Sequence, residues 1–308
     1  MTICKICLCD KLIFFATVKS YKYYFCNKCQ TLQLLNHNIK HTYNSNFDYI
    51  TDSLSIRRIK TNSKSILNYI KKVVKKHASL LDIGSGYGYL LKEAQTKFKY
   101  TLGIEPSNNL YKYSENILNV TISNKSFERY YRLNKSKKFD VITMVHVIEH
   151  VKNPKQFLSM AIKLLNKDGV LYVETPNLNS WLYRIEQKNY TFLTPPEHLY
   201  IFSKDSFRQI LKNKLDAKIV KISTYSYVEH AVKVIKEILS KNILKRAKIE
   251  RKPITFSNND RVIKQLIYKI KKFAFYVLLH KILGPIILPL LKLGYNGTFL
   301  RLYIKKKR

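Results

Sequence analysis

The sequence predicts an α/β fold, a doubly wound and mostly parallel sheet, on three observations. An apolar strand pattern runs into a glycine turn and a helix start over 80–91. Strand-like and helix-like patterns then alternate as far as about residue 224. The 308 residues suffice for a full core plus accessory pieces.

The elements follow in order. All five cysteines fall within the first 29 residues. Cys4-Lys5-Ile6-Cys7 and Cys26-Asn27-Lys28-Cys29 are two C-x2-C pairs separated by 18 residues, the spacing that closes a tetrahedral four-thiolate site for structural zinc. Tyr21-Lys22-Tyr23-Tyr24-Phe25 reads as the strand that delivers the second pair. Met1-Thr2-Ile3-Cys4 leads into the first pair without a long apolar core, so a cytoplasmic, reducing setting is expected. Such a setting disfavours disulfides. A redox motif needs only one pair, and Cys9 is left over as a small spare residue.

Over 55–76, Ile56, Ile59, Ile66, Leu67, Ile70, Val73 and Val74 recur at helical spacing and predict a helix packed before the first strand. Strands are expected at 79–83, 100–105, 119–123, 139–145, 169–175 and 216–224, with helices at 88–97, 108–118, 155–166 and 204–214. Ser203 is placed to cap the last helix, with Asp205 in its first turn. Beyond residue 227 the chain becomes basic and aliphatic. An apolar helical face at 262–278, flanked by lysines, could lie on an anionic membrane surface or pack on the domain or a second subunit. The stretch 273–291 is interrupted by His280, Lys281, Gly284, Pro285 and Pro289, so an interfacial element through 262–291 fits better than a span. A final strand is expected at 297–305.

The formal net charge of +36 suggests anionic partners, but 45 Lys against 11 Arg points to a solvated surface more than to selected phosphate recognition.

The glycine turn narrows the ligand. Gly84, Gly86 and Gly88 allow positive φ and close backbone approach, and they bring helix N-terminal amides alongside. A phosphate-binding loop would end Gly-Lys-Ser/Thr, whereas Tyr89 follows Gly88. The dinucleotide fingerprint is G-x-G-x-x-G, whereas this turn is G-x-G-x-G preceded by Asp82. An acid there repels a pyrophosphate and tolerates a cation such as S-adenosylmethionine, while Glu105, after the next strand, could take two ribose hydroxyls.

Over 79–224 the chain resembles the class I S-adenosylmethionine-dependent methyltransferases. Three blocks carry the resemblance in order: the glycine turn, Phe139 to Val151 with its Ile148-Glu149-His150, and Leu164 to Asn177 with its Asp168-Gly169 turn. The resemblance implies a Rossmann-like, doubly wound seven-stranded sheet with a final antiparallel strand. To this are added a small N-terminal zinc ribbon and a helical insertion near the C-terminus. The expected organisation is a zinc ribbon at 1–40, a helical lead-in at 41–78, a cofactor-binding domain at 79–227 and 293–308, and a basic apolar insertion at 228–292. Cofactor contacts are expected from Asp82, Gly84, Ser85, Gly86, Gly88 and Glu105, from Phe127 near the adenine, and from His146 at a strand end.

Methyl transfer to a hydroxyl needs alignment and a base. Glu149-His150 and Glu197-His198 both fall where open α/β sheets bind ligands. The segment Glu197-His198-Leu199-Tyr200-Ile201-Phe202-Ser203 is similar to the catalytic Glu-His segment of sugar C-methyltransferases. That similarity nominates His198 and Glu197, with His150 as a further catalytic candidate. Those enzymes carry a tyrosine two residues before the glutamate, where this chain has Pro195, which favours an O-methyl acceptor. Zinc ribbons ahead of such domains recur in enzymes resembling nucleotide-sugar methyltransferases, so a sugar-type small molecule is the expected acceptor. Alternatives are an RNA methyltransferase, a quinone-type small-molecule O-methyltransferase and a noncatalytic binding module. Pro195-Pro196 is preceded by Thr194, not by the Asn or Asp of a base-methylation motif, which weighs against nucleic acid.

Overall fold

The computed structural model describes residues 3–35, 53–74, 78–212, 215–234 and 296–307. The chain divides into two compact units, one of Met1–Leu178, Thr191–Ser223 and Leu300–Arg308, the other of Asn179–Tyr190 and Thr224–Phe299. The insertion expected at 228–292 lies, from residue 235 on, outside the described residues, as does the interfacial element expected at 262–291. Among the described residues no helix is long and apolar enough to cross a membrane.

The first unit holds two sheets. The N-terminal one is built from β1 (Leu12–Val18), β2 (Tyr21–Cys26) and β3 (Thr31–Leu34), paired antiparallel. The helix α1 (Ser53–Val73) follows, as its spacing predicts. The larger sheet then alternates strand and helix: β4 (Ser79–Ile83), α2 (Tyr89–Ala94), β5 (Tyr100–Ile104), α3 (Asn108–Asn116), β6 (Ile122–Ser123), α4 (Phe127–Leu133), β7 (Phe139–Val145), α5 (Pro154–Lys163) and β8 (Leu165–Pro176). Next in the chain come α6 (Trp181–Glu186), β9 (Tyr200–Ile201), α7 (Lys204–Lys212), β10 (Ala217–Tyr225) and β11 (Phe299–Lys306).

Seven strands form the large sheet in the order β10-β11-β8-β7-β4-β5-β6. The pairs β4/β5, β4/β7, β5/β6 and β7/β8 are parallel. Strand β11 runs antiparallel to β8: Arg301 meets Glu174, Tyr303 meets Tyr172, and Lys306 reaches the Leu165 carbonyl. Chain order reverses between β4 and β7, which opens the crevice beyond their C-terminal ends where such sheets take ligands.

The central strands are apolar and buried on both faces, as parallel strands under helices must be. On one face, Ile66, Leu67 and Ile70 of α1, with Val74 just after it, join Leu90, Leu91 and Ala94 of α2 over Leu80, Val141, Val170, Tyr172 and Tyr303.

The expected elements hold, with shifts of a few residues at their ends. Strand β8 starts at Leu165, earlier than the expected 169, because Phe139 pairs with Leu165 across a bulge before Val141. Asn166 Nδ2 donates to Asp140 Oδ1 at 2.6 Å and secures that bulge. The strand expected at 119–123 shortens to Ile122–Ser123. Helix α4 was not among the expected elements, although Ser126 caps it, its Oγ accepting from Arg129 N.

A buried ionic network ties α1 to the sheet. Arg301 Nε donates to Glu174 Oε2 at 2.6 Å and Arg301 Nη2 to Asn62 Oδ1 at 2.8 Å, while Asn62 Nδ2 donates to Glu174 Oε1 at 3.2 Å. Tyr172 donates its hydroxyl to Glu174 Oε2. Burial alone would push Glu174 up, but the Arg301 charge and these donors hold its carboxyl below the ordinary range. Replacing Arg301 with Met leaves that carboxylate buried without its cation. Urea unfolding at pH 7 should show a loss of about 3–5 kcal/mol. The double variant Arg301→Met/Glu174→Gln should recover much of it, and an unchanged midpoint in the single variant would remove the network's role.

In the second unit, Ser180 Oγ accepts from Tyr183 N at the start of α6, Trp181 N donates to the Asn296 carbonyl, and Thr298 N donates to Ser226 Oγ.

Candidate active site

The turn after β4 carries positive φ at each of its three glycines: 69° at Gly84, 54° at Gly86 and 77° at Gly88. A Cβ on Gly84 would stand 2.5 Å from Val147 Cγ2, so this position is closed to any side chain. A Cβ on Gly86 would meet nothing within 4 Å, which leaves open space above the turn for a ligand. The turn is held from below. Gly86 N donates to Glu105 Oε2 at 2.8 Å, Ser107 N donates to Glu105 Oε1, and Ser114 Oγ donates to the Gly86 carbonyl.

Asp82 and Glu105 are both buried. Burial pushes Asp82 up to about 7, opposed by the hydrogen bond from Thr143 Oγ1 at 2.6 Å and helped by the charge of Glu105. Burial also raises Glu105, against the pull of the Ser107 and Gly86 amides. Two acids short of compensating charge suit a cationic ligand that also offers hydroxyl donors. Ser85 Oγ is buried with no hydrogen-bond partner among the described residues.

Phe127 departs from expectation. Its ring is 3% exposed and lies edge-on to Phe157 at 4.8 Å, so it belongs to the core and offers little surface to an adenine.

A second cluster lies in the same unit, beyond the ends of β7 and β8. His146 sits at φ +55°, an uncommon conformation for a non-glycine residue and one that gathers at functional sites. Its Nδ1 lies 3.2 Å from Glu149 Oε1, and its Nε2 lies 3.7 Å from Glu174 Oε1. Thr175 Oγ1 donates to Glu149 Oε2 at 2.9 Å. Burial would raise Glu149, but the hydrogen bond and charge of His146, with the charges of His150 and His198, bring it down to about 2. His146 responds in kind: burial disfavours its charge, and Glu149 and Glu174 outweigh that and raise its pKa.

His150 and His198 complete the cluster, their rings meeting edge to face at 4.7 Å. Nδ1 of His150 lies 2.9 Å from the Glu197 carbonyl, and Nδ1 of His198 lies 2.7 Å from the Phe192 carbonyl. A carbonyl only accepts, so each Nδ1 carries a proton, and in a neutral His198 the Nε2 presents a lone pair. Burial lowers His198 to about 4, which keeps it neutral at physiological pH. One ligand atom each from Glu149, His150 and His198 lies within 4.8 Å of the others. A single acceptor oxygen can therefore touch more than one of them.

The sequence placed His150 and His198 in this cluster and the structure brings them together. Glu197 differs: its side chain is exposed, and its main-chain carbonyl is what serves the site. The buried acid of the cluster is Glu149. Its signal was in the sequence, an acid flanked by apolar residues immediately before a histidine.

The cysteine pairs also converge. Cys4, Cys7, Cys26 and Cys29 are buried free thiols, with Cys4–Cys29 and Cys7–Cys26 Sγ separations of 3.5 Å. These distances exclude disulfides. They approach the ~3.8 Å edge of a tetrahedron with metal–sulfur bonds of about 2.3 Å. The donor set therefore fits a tetrahedral thiolate metal. The half-exposed Cys9, set aside as a spare, lies with its Sγ 3.3 Å from that of Cys26.

A glycine cradle with two buried acids, set at the switch point of a parallel sheet, defines a nucleoside-cofactor domain of the doubly wound class. The chain belongs to the methyltransferase-domain family, whose model matches residues 55–220. Among curated relatives it is 27% identical over 165 residues to the mitochondrial ubiquinone biosynthesis O-methyltransferase of Dictyostelium discoideum, covering 48% of this chain and 50% of that one. It is 31% identical over 122 residues to the ubiquinone biosynthesis O-methyltransferase of Pelagibacter ubique, covering 37% and 50%. The chain thus spans about half the length of these relatives. Similar solved structures include a SAM-dependent methyltransferase from Archaeoglobus fulgidus, with a TM-score of 0.48 and 19% identity over 83% of this chain and 100% of that one. Another is the plantazolicin methyltransferase BpumL in complex with SAH, with a TM-score of 0.47 and 16% identity over 84% and 92%.

Proposed function

We propose that the chain transfers a methyl group from S-adenosylmethionine to a hydroxyl of a small-molecule acceptor, with His198 as the base. The observation that carries this reading is the His198 imidazole, locked through Nδ1 to the Phe192 carbonyl and kept neutral by burial so that its Nε2 accepts. When bound at the glycine turn, the cofactor supplies an electrophilic methyl on a sulfonium. The hydroxyl that receives this methyl would give up its proton to His198 Nε2. His150 packs edge to face on the His198 ring and keeps it in place, and the Glu149 carboxylate stabilises the imidazolium that forms. Asp82 and Glu105 orient the cofactor. We read the four cysteines as ligands of a structural zinc.

The ubiquinone O-methyltransferases among the relatives support a ring hydroxyl as the acceptor. A second reading, a sugar hydroxyl, draws support from the cysteine ribbon that pairs through β3 with β9, directly after Glu197-His198. Incubation with methyl-tritiated cofactor and two acceptor sets, alkylated catechols and nucleotide-sugars, separates the two. Label in the catechols is expected, label confined to the sugars selects the second reading, and label in neither overturns both.

The pH profile gives an independent check. A base must be unprotonated to act, and His198 is held down at about 4, so kcat should stay level from pH 8 to below 6 and fall only toward 4. An acid limb at the ordinary histidine value of about 6.5 would exclude His198 in this environment.

A further inference from the structure

The small N-terminal sheet has a fourth strand that the ribbon does not supply. Its order is β1-β2-β3-β9, and β9 follows His198 in the chain after a single residue. Leu32 pairs with Ile201 and Gln33 with Tyr200. Leu34 N donates to the Leu199 carbonyl at 2.8 Å, and the hydroxyl of Tyr23, fully buried on β2, donates to the His198 carbonyl at 2.8 Å. Two successive carbonyls at the root of the imidazole are thus held by the ribbon.

The other end of the same hairpin is gripped as well. Strand β2 ends in Cys26, and Cys29 stands in the turn before β3. Gln30 N donates to the Cys26 carbonyl. Thr31 Oγ1 donates to Ser206 Oγ on α7 at 2.7 Å, and that Oγ lies 3.2 and 3.0 Å from the carbonyl oxygens of Cys29 and Gln30. The cysteine cluster therefore fixes a hairpin whose far edge carries the catalytic segment. Closing the cysteines on a metal rigidifies β2 and β3 together.

We propose that the cysteine ribbon is a positioning element of the acceptor site, acting through Tyr23, which sets the main chain of His198. The proposal rests on the reading of His198 as the base, but its test does not require turnover. Tyr23 touches neither cofactor nor reacting atoms, so it is a positioning residue. Its hydroxyl and the Phe192 carbonyl hold His198 from two sides, and Phe192 lies over the imidazole at 6.3 Å with nearly parallel rings. The ionisable neighbours of His198 are Glu149, His150 and His146. Without the Tyr23 hydroxyl the segment loses an anchor and relaxes outward, and the ring leaves its half-buried seat.

Imidazole nitrogen NMR of the full chain, labelled at histidine nitrogens and loaded with zinc, reads this directly. The His198 signal is identified by its loss in His198→Gln. In Tyr23→Phe its titration midpoint should rise toward 6.5 by on the order of one pH unit, the counterpart of one buried hydrogen bond. Zinc content and cofactor affinity by calorimetry should stay within about twofold of wild type. Stripping zinc from the wild-type chain should produce the same rise. A His198 signal in Tyr23→Phe that titrates as in wild type overturns the proposal, and so does a shift accompanied by loss of cofactor binding, which would mark general loosening. A wild-type chain that transfers no methyl group removes the proposed function and this inference with it, whereas an unchanged His198 titration in Tyr23→Phe of an active enzyme removes this inference alone.

Discussion

The Gly86→Arg variant is expected to fold and to lose S-adenosylmethionine binding altogether. The site makes both halves of that expectation specific. A Cβ at Gly86 meets no atom within 4 Å, so the chain itself does not resist a side chain there, apart from the modest cost of φ +54° in a non-glycine residue. The same open space is the one proposed for the ligand, and the arginine would both fill it and set a cation where the sulfonium is proposed to bind. Thermal unfolding shows the difference. Cofactor at a hundredfold excess over its dissociation constant should stabilise the wild type by about 2.7 kcal/mol and the variant not at all. Gly84 provides the contrast: a Cβ 2.5 Å from Val147 Cγ2 means that Gly84→Ala should destabilise the apo chain itself.

The second large effect is expected from His198→Ala. Removing a positioned base commonly costs a factor of 10²–10⁴ in rate, and kcat should fall by about that much while cofactor affinity stays nearly unchanged. The separation follows from the layout. The proposed cofactor contacts lie on the turn after β4 and the acid after β5, whereas His198 arrives on the segment before β9. His150→Ala should cost less, because its ring packs against the His198 imidazole and does not take the proton. Equal activity in His198→Ala and wild type would remove the base assignment.

Much of the fold was legible because its signals are local. Parallel strands such as Leu80-Leu81-Asp82-Ile83 and Val141-Ile142-Thr143-Met144 are buried on both faces and so read as apolar runs. The glycine turn announces itself by its own backbone demands. The cysteine pairs were legible because two short spacings suffice to define a donor set, and the structure brings the four thiols together.

What escaped depends on contacts between distant residues. Arg301 and Asn62 stand 239 positions apart, and nothing in either neighbourhood signals that they share Glu174. Strand β9 has only two residues, too few for any period, and exists because β3 offers it an edge. Glu197 was nominated over Glu149 by the similarity of its segment to the catalytic Glu-His segment of sugar C-methyltransferases, which says nothing of burial. Burial separates the two, with Glu149 enclosed among three histidines and Glu197 facing solvent. Phe127 looked available to an adenine, and its fate was decided by Phe157 on the neighbouring helix.

The central claim is that the turn at 84–88, with Asp82 and Glu105, is a methyl-donor site. Isothermal titration of the full wild-type chain with S-adenosylmethionine tests it most directly. One saturable site per chain is predicted, with binding lost in Gly86→Arg. The absence of any binding heat in the folded wild-type protein, at several temperatures, would contradict the account at its root.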